Sequence, residues 1–219
     1  RVTGASTNHM AKSLYICYFG VQQPLVQTQV IPYLCELQKS GSEGVGEKGS
    51  GGEGEKAREG ARERGRVPDL DISMSLLTFE PEKIGREKEE RIRSELKAKG
   101  IAWHWLRYHK RPSAMATAYD VFRGAWFIRR AIARDKIDIL HGRVHIPTLM
   151  GAIARRFSRR RPKLLFDIRG FFPEEYTDAG IWPENGLLYR SAKRVERWLM
   201  KESDGFVVLT EKAREILFP

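Results

Sequence analysis

Lys163-Leu-Leu-Phe-Asp-Ile-Arg-Gly-Phe-Phe-Pro-Glu-Glu175 is the stretch whose reading decides the fold. Leu164, Leu165, Phe166 and Ile168 make the apolar run of a strand covered on both faces, and Asp167 and Arg169 stand where that strand ends. Gly170 permits an abrupt change of backbone direction, Pro173 stops the strand continuing, and Glu174 and Glu175 add two carboxylates to the loop that follows. Ligands of open α/β sheets bind at the carboxyl ends of the strands. This loop is therefore the first candidate for a site, and the rest of the chain is read as its scaffold.

Working outward, Ile137-Asp-Ile-Leu140 predicts the preceding strand, followed by a loop His141-Gly-Arg-Val-His145. Pro147 is expected to open a helix burying Leu149, Met150, Ile153, Ala154 and Phe157. Beyond the opening stretch, Asn185 is read as the cap of a helix with Leu187, Leu188, Ala192, Val195, Trp198 and Leu199 inward, and Gly205-Phe-Val-Val-Leu209 as a last strand. On the amino-terminal side, Ser13 to Phe19 predicts a first strand closed by Gly20, and a helix from about Val26 to Lys39 contains Pro32, which is expected to kink it. Ile72 to Phe79 and Ile101 to Leu106 predict two more strands, with a charged helix from Lys83 to Lys99 between them. A helix from Ser113 to about Arg134, capped by Ser113, is expected to bury Ala118, Val121, Phe122, Ala125, Ile128 and Ile132.

Six strands alternating with helices predict an α/β fold: a Rossmann-like, doubly wound, mainly parallel sheet with helices on both faces and strand order 3-2-1-4-5-6. In that order the ends of strands one, four and five adjoin. Gly20, the His141 to His145 loop and the Asp167 to Glu175 loop are then expected to share one crevice. The domain is read as 13–219; residues 1–12 are set apart as an expression-vector remnant. Residues 40–68 form an insertion, because 41–66 hold nine glycines, six acids, six bases and one large aliphatic residue, Val45. So few apolar groups cannot offset about 1–2 kcal/mol per residue of backbone entropy, and this segment is expected to be disordered.

Lys and Arg outnumber Asp and Glu 39 to 28, a net charge of +11 that favours an anionic partner without choosing among nucleic acid, phospholipid and phosphorylated substrate. The chain has no apolar run of membrane-spanning length. Cys17 and Cys35 read as buried thiols in a reducing, cytoplasmic setting. They have no metal-ligand spacing, and no metal or other cofactor is expected. A dinucleotide enzyme is disfavoured, since Gly20-Val-Gln-Gln-Pro24 supplies one glycine of the three required, although Glu80 fits the acid that ends strand two. His141 and His145 are four apart but lack the helix and glutamate of a zinc site. Asp69-Leu-Asp71 is read as solvated linker. Arg143 suits a phosphate, because its planar fork binds such oxygens bidentately.

Arg155, Arg156, Arg159, Arg160, Arg161 and Lys163 place six cations within nine residues. They read either as a dipole-complementing helix end or as a patch for an anionic membrane. Trp103, Trp105, Arg107, Tyr108, Lys110 and Arg111 are a second candidate surface, although alternate tryptophans on a strand share a face and suit burial equally. Asp167 is read as a tentative catalytic acid or as the partner of Arg169, which sequence position does not separate.

Four motifs together carry a family resemblance. They are Gln27-Thr-Gln-Val-Ile-Pro-Tyr-Leu-Cys-Glu-Leu37, Asp138-Ile-Leu-His-Gly-Arg143, Phe166-Asp-Ile-Arg-Gly-Phe-Phe-Pro-Glu-Glu175 and Glu196-Arg-Trp-Leu-Met-Lys-Glu-Ser-Asp-Gly-Phe-Val-Val-Leu-Thr210. Their order and spacing resemble the N-terminal domain of family 4 (group 1) glycosyltransferases of the GT-B fold. The resemblance implies a retaining transferase whose N-terminal domain binds a saccharide or lipid-linked acceptor, while a C-terminal domain binds the nucleotide sugar. It implies a role in cell-envelope or exopolysaccharide synthesis, at the cytoplasm or the inner face of the plasma membrane. Asp167 falls where many members carry a donor-contacting histidine, as in a subgroup with Asp-x-Arg-Gly, and the family's glycine-rich loop is reduced to Gly20.

On this reading the chain is the acceptor half and transfers no sugar alone. Asp167 would orient a sugar, Arg143 and Arg169 would hold anionic groups, and Glu174 or Glu175 would bind acceptor hydroxyls. Gly20, His141, His145 and Gly170 complete the expected cleft. The competing class is a non-catalytic basic module for an anionic membrane or nucleic acid, the latter disfavoured as a partner. An epimerase-like Rossmann protein is a third reading, opposed by the missing glycines and the lack of a Tyr-x-x-x-Lys pair.

Overall fold

The computed structural model describes residues 10–42, 72–109, 113–184 and 186–218. The disorder expected of 40–68 meets a helix at 40–42; residues 43–68, Asp69 to Asp71, Lys110, Arg111 and Asn185 lie outside the described residues, as do residues 1–9 of the supposed vector remnant.

Strands β1 (Ala11–Ile16), β2 (Ile72–Glu80), β3 (Ile101–Arg107), β4 (Ile139–Arg143), β5 (Lys163–Ile168) and β6 (Gly205–Val208) build one sheet in the order β3-β2-β1-β4-β5-β6. Every pairing is parallel, as the alternation of strands and helices predicts. The helices are α1 (Ile31–Ser42), α2 (Arg86–Ala98), α3 (Ser113–Asp135), α4 (His145–Arg156), α5 (Phe172–Asp178), α6 (Leu187–Glu202) and α7 (Glu211–Leu217).

The strands have two buried faces, so neighbouring side chains enter different cores. Leu14 and Ile16 of β1 join Phe166, Ile168, Ile128 and Met150 on one side. Tyr15 and Cys17 join Val30, Leu34 and Trp103 on the other. On the second face the same parity brings polar side chains inside. Tyr15 pairs with His141 across β1 and β4, and Arg143 with Asp167 across β4 and β5.

Several expected boundaries move, each for a local reason. Ala11 and Lys12 belong to β1 rather than to a vector remnant, paired with Ile72 and Ser73. The helix expected from Val26 begins as a π-helical turn, Val26–Val30, ahead of α1. Pro32 has no N–H to offer the carbonyl of Thr28, and its ring crowds that carbonyl, so the wider turn sits just upstream of it. β4 extends to Arg143 and α4 starts at His145, so the predicted His141 to His145 loop shrinks to Val144. Likewise, part of the predicted Asp167 to Glu175 loop is the short helix α5.

Some apolar side chains face outward, against expectation. Phe122 is 69% exposed and Phe157 68%, while Leu187 and Leu188 begin α6 on its solvent side. Around α3 the inward row is instead Ala116, Val121, Ala125, Ile128, Ala131 and Ile132. Trp103, by contrast, is buried, and its indole donates to Thr78 Oγ1 at 2.9 Å, so it forms no ligand-stacking surface.

Candidate functional site

A cleft of about 750 Å³ opens at the carboxyl ends of β1, β2, β4 and β5. Arg143, His145, Arg169, Gly170 and Glu175 all line it, with Tyr18, Tyr108, Phe172 and Tyr176 as aromatic walls. Five of the predicted residues therefore meet as expected.

The others do not. Gly20 turns toward β2: a Cβ there would lie 2.8 Å from Glu80 Oε2, and the residue lines a separate cavity beside Glu80 and Pro81. The Glu80 carboxylate is committed to structure, since its Oε1 accepts from the Val21 amide at 2.8 Å and from Thr78 Oγ1 at 2.6 Å. Burial raises its pKa despite those two bonds. His141 is buried beneath the cleft, its ring 4.5 Å from that of Tyr15 and 5.8 Å from that of Tyr33. Glu174 faces α6, where Lys193 Nζ approaches its Oε1 at 2.8 Å.

Asp167 is fully buried, with no exposed surface from which to meet a sugar. Its Oδ1 accepts from Arg169 Nε at 2.6 Å and its Oδ2 from the Tyr15 hydroxyl at 3.1 Å. His141 Nε2 stands 3.8 Å away, an electrostatic neighbour beyond hydrogen-bond distance. Burial works against the carboxylate, but the Arg169 guanidinium and the His141 ring outweigh it and hold the pKa below its ordinary value. The same burial and the same carboxylate push Tyr15 well above a free phenol. Asp167 is thus an ionised anchor that orients Arg169, which reaches the cleft. The tentative catalytic role gives way to a positioning one, because a carboxylate with both oxygens engaged and no exposure lacks access to reactants.

His145 opens α4 and is held by Glu196 of α6, with Nε2 and Oε2 at 3.2 Å. Lys193 Nζ joins the far oxygen of Glu196 at 2.5 Å. Burial opposes ionisation of both groups, yet His145 and Lys193 keep Glu196 low, while Glu174 and Glu196 keep Lys193 high. This network ties α4, α5 and α6 around one wall of the cleft. Glu196 opens a motif quoted above and Lys193 stands three residues before it, but nothing in their spacing singles them out. Gln29 was equally silent in the sequence; from the π-helical turn its Oε1 accepts from Arg143 Nη2 at 2.7 Å.

On the opposite wall, Tyr18 donates to Asp120 Oδ2 at 2.8 Å, and His109 Nδ1 lies 2.6 Å from Oδ1. Val144, between β4 and α4, takes φ 60° and ψ −173°, a backbone region that β-branched residues rarely enter. It turns the chain so sharply that Gly142 lies against α4, where a Cβ would stand 2.5 Å from Thr148 Cα.

The basic run lies at the other end of the sheet, where β5 begins at Lys163. Four of its six cations have acidic partners: Arg155 and Lys163 on Asp204, Arg156 on Glu202 and Arg160 on Asp138. Arg159 and Arg161 show no such pair among the described residues. Three acids, Asp138, Glu202 and Asp204, thus balance half of the charge of the expected patch.

Residues 61–218 match the Glycosyl transferase 4-like domain family. No curated protein matches the chain. Among solved structures, a UDP-N-acetylglucosamine 2-epimerase from Listeria monocytogenes superposes with a TM-score of 0.52 at 14% identity, over 95% of this chain and 42% of the other. MurG from Acinetobacter baumannii gives 0.42 at 12% identity, covering 91% and 46% of the two chains. A glycosyltransferase from Rickettsia africae gives 0.38 at 13% identity, covering 76% and 33%. The chain thus spans less than half the length of each of these structures.

Proposed function

We propose, for a chain that belongs to the glycosyl transferase 4-like domain family, that it is the acceptor-binding half of a retaining GT-B glycosyltransferase. The observation that carries this reading is the cleft itself, which combines fixed cations, a free carboxylate and aromatic walls at the ends of the central strands. Aromatic faces suit the apolar side of a sugar ring, and a carboxylate such as Glu175 accepts from hydroxyls. Transfer from a nucleotide sugar builds charge at the anomeric carbon and on the leaving diphosphate, so positioning and electrostatics contribute most. In this reading Glu175 and His145 position the acceptor. The donor is held by a second Rossmann-like domain facing the cleft, consistent with this chain covering 42% of the epimerase's length.

The acceptor is a saccharide or a lipid-linked saccharide, and the enzyme works at the cytoplasmic side in envelope or exopolysaccharide synthesis. Adhesion to an anionic membrane through Arg159 and Arg161 would supply only about 1 kcal/mol per cation, a weak anchor.

The test joins this chain to the donor-binding domain of its parent protein and supplies radiolabelled nucleotide sugars with a panel of saccharide acceptors. Label should pass to an acceptor with the anomeric configuration kept, and Glu175→Gln should lower kcat/KM. The chain alone should transfer nothing. Failure of every donor and acceptor pair with the joined protein, or inversion at the anomeric carbon, would overturn the corresponding part of the proposal.

A further inference from the structure

Arg143 is 3% exposed, yet its guanidinium has no carboxylate within ion-pair distance among the described residues. Its Nη2 donates to the neutral amide of Gln29, and its Nη1 is buried with no partner. The nearby Asp167 is already engaged by Arg169 and Tyr15. A desolvated cation left in this state is costly unless an anion reaches it.

Two further deficits converge on the same place. α4 is 12 residues long and its first turn has no side-chain cap. Pro147 lacks an N–H, and the amides of His145 and Ile146 find no acceptor among the described residues, while both residues line the cleft beside Arg143. Arg169 is fixed through Nε to Asp167, and its two terminal nitrogens make no hydrogen bond to any described residue. Arg143, Arg169 and Asp167 together carry a net charge of +1, to which the helix terminus adds roughly +0.5. Among the described residues one carboxylate lines this cleft, Glu175, and it stands against Gly170.

We infer that the base of the cleft is an oxyanion site in which Arg143, Arg169 and the first amides of α4 receive a phosphate or carboxylate carried by the acceptor sugar. The arrangement suits such a group: two planar forks deliver paired N–H donors, and a helix N-terminus adds main-chain donors along its dipole. Glu175 then accepts from a hydroxyl of the same sugar, which sets its orientation. The inference rests on the acceptor-domain reading above and narrows it from any saccharide to an anionic one.

The experiment is calorimetric titration of the full chain with glucose 6-phosphate, glucuronate, neutral glucose and uridine diphosphate. One of the two anionic sugars should bind about tenfold or more tightly than glucose, and its identity tells phosphate from carboxylate. Arg143→Gln should abolish that advantage, and Arg143→Lys should keep only part of it, since the ammonium lacks the fork. Arg134→Gln, at the far end of the sheet, should leave it intact. Near-ultraviolet circular dichroism reports whether each variant stays folded, and Arg143→Lys carries the test if the glutamine variant does not.

Equal affinity for glucose and both anionic sugars would overturn the inference while leaving the acceptor reading standing. So would an advantage that survives Arg143→Gln. Uridine diphosphate binding more tightly through Arg143 than either sugar would assign the site to the donor and overturn it too. Binding of no sugar at all would count against the acceptor reading itself.

Discussion

Replacing Asp167 by Ala tests the positioning role most directly. The carboxylate is fully buried, while its partner Arg169 is one-fifth exposed at 2.6 Å. Removing one member of a buried pair leaves the other uncompensated, at a cost of about 3–5 kcal/mol. The Tyr15 hydroxyl loses its acceptor as well. For a domain of this size that corresponds to a fall in Tm of about 6–20 °C, taking about 2–4 °C per kcal/mol.

The assay is urea unfolding followed by far-ultraviolet circular dichroism at neutral pH, repeated for Asp167→Ala/Arg169→Met. Because the double variant removes both charges, it should recover about 1 kcal/mol or more relative to the sum of the single changes. The pH dependence has a definite sign. Asp167 is held below its ordinary pKa in the folded state, so its contribution is present above the unfolded value and is lost as pH falls through the folded one. The gap between wild type and Asp167→Ala should therefore narrow below about pH 4. A single variant within about 1 kcal/mol of wild type at neutral pH, or a gap unchanged in acid, would refute the assignment of Asp167 as an ionised anchor.

Three further outcomes are expected. Gly142→Ala should destabilise by about 1–3 kcal/mol in chemical denaturation, because the added methyl meets not only Thr148 Oγ1 but also the α4 backbone at Thr148 Cα and N, which cannot swing aside. Val144→Gly should raise Tm, since glycine adopts φ 60° without the strain of a β-branched residue, worth about 1 kcal/mol or more; a lower Tm would show that the valine side chain matters more than the backbone. Lys193→Met removes the cation between Glu174 and Glu196, so hydrogen exchange should speed up in α5 while the central strands keep their protection.

By itself the sequence determined the layered plan. Apolar runs such as Leu164 to Phe166 mark strands with two covered faces, and their alternation with helices leaves a parallel sheet whose handed crossovers set the order. That order was enough to predict that Arg143, His145 and Arg169 would meet in one cleft. Periodicity placed helices well but misassigned some faces: Phe122 and Ala125 share an apolar pattern, yet only the second points inward.

What the tertiary structure decided is which polar group is free. Asp167 and Arg143 look alike in sequence, each a charged residue near a strand end, but Asp167 spends both oxygens on Arg169 and Tyr15 while Arg143 keeps one nitrogen unmatched. Partners that settle this, Tyr15 and Gln29, lie 152 and 114 residues away along the chain. Hydrogen bonding and desolvation depend on distances in space, and local sequence patterns carry no record of those distances.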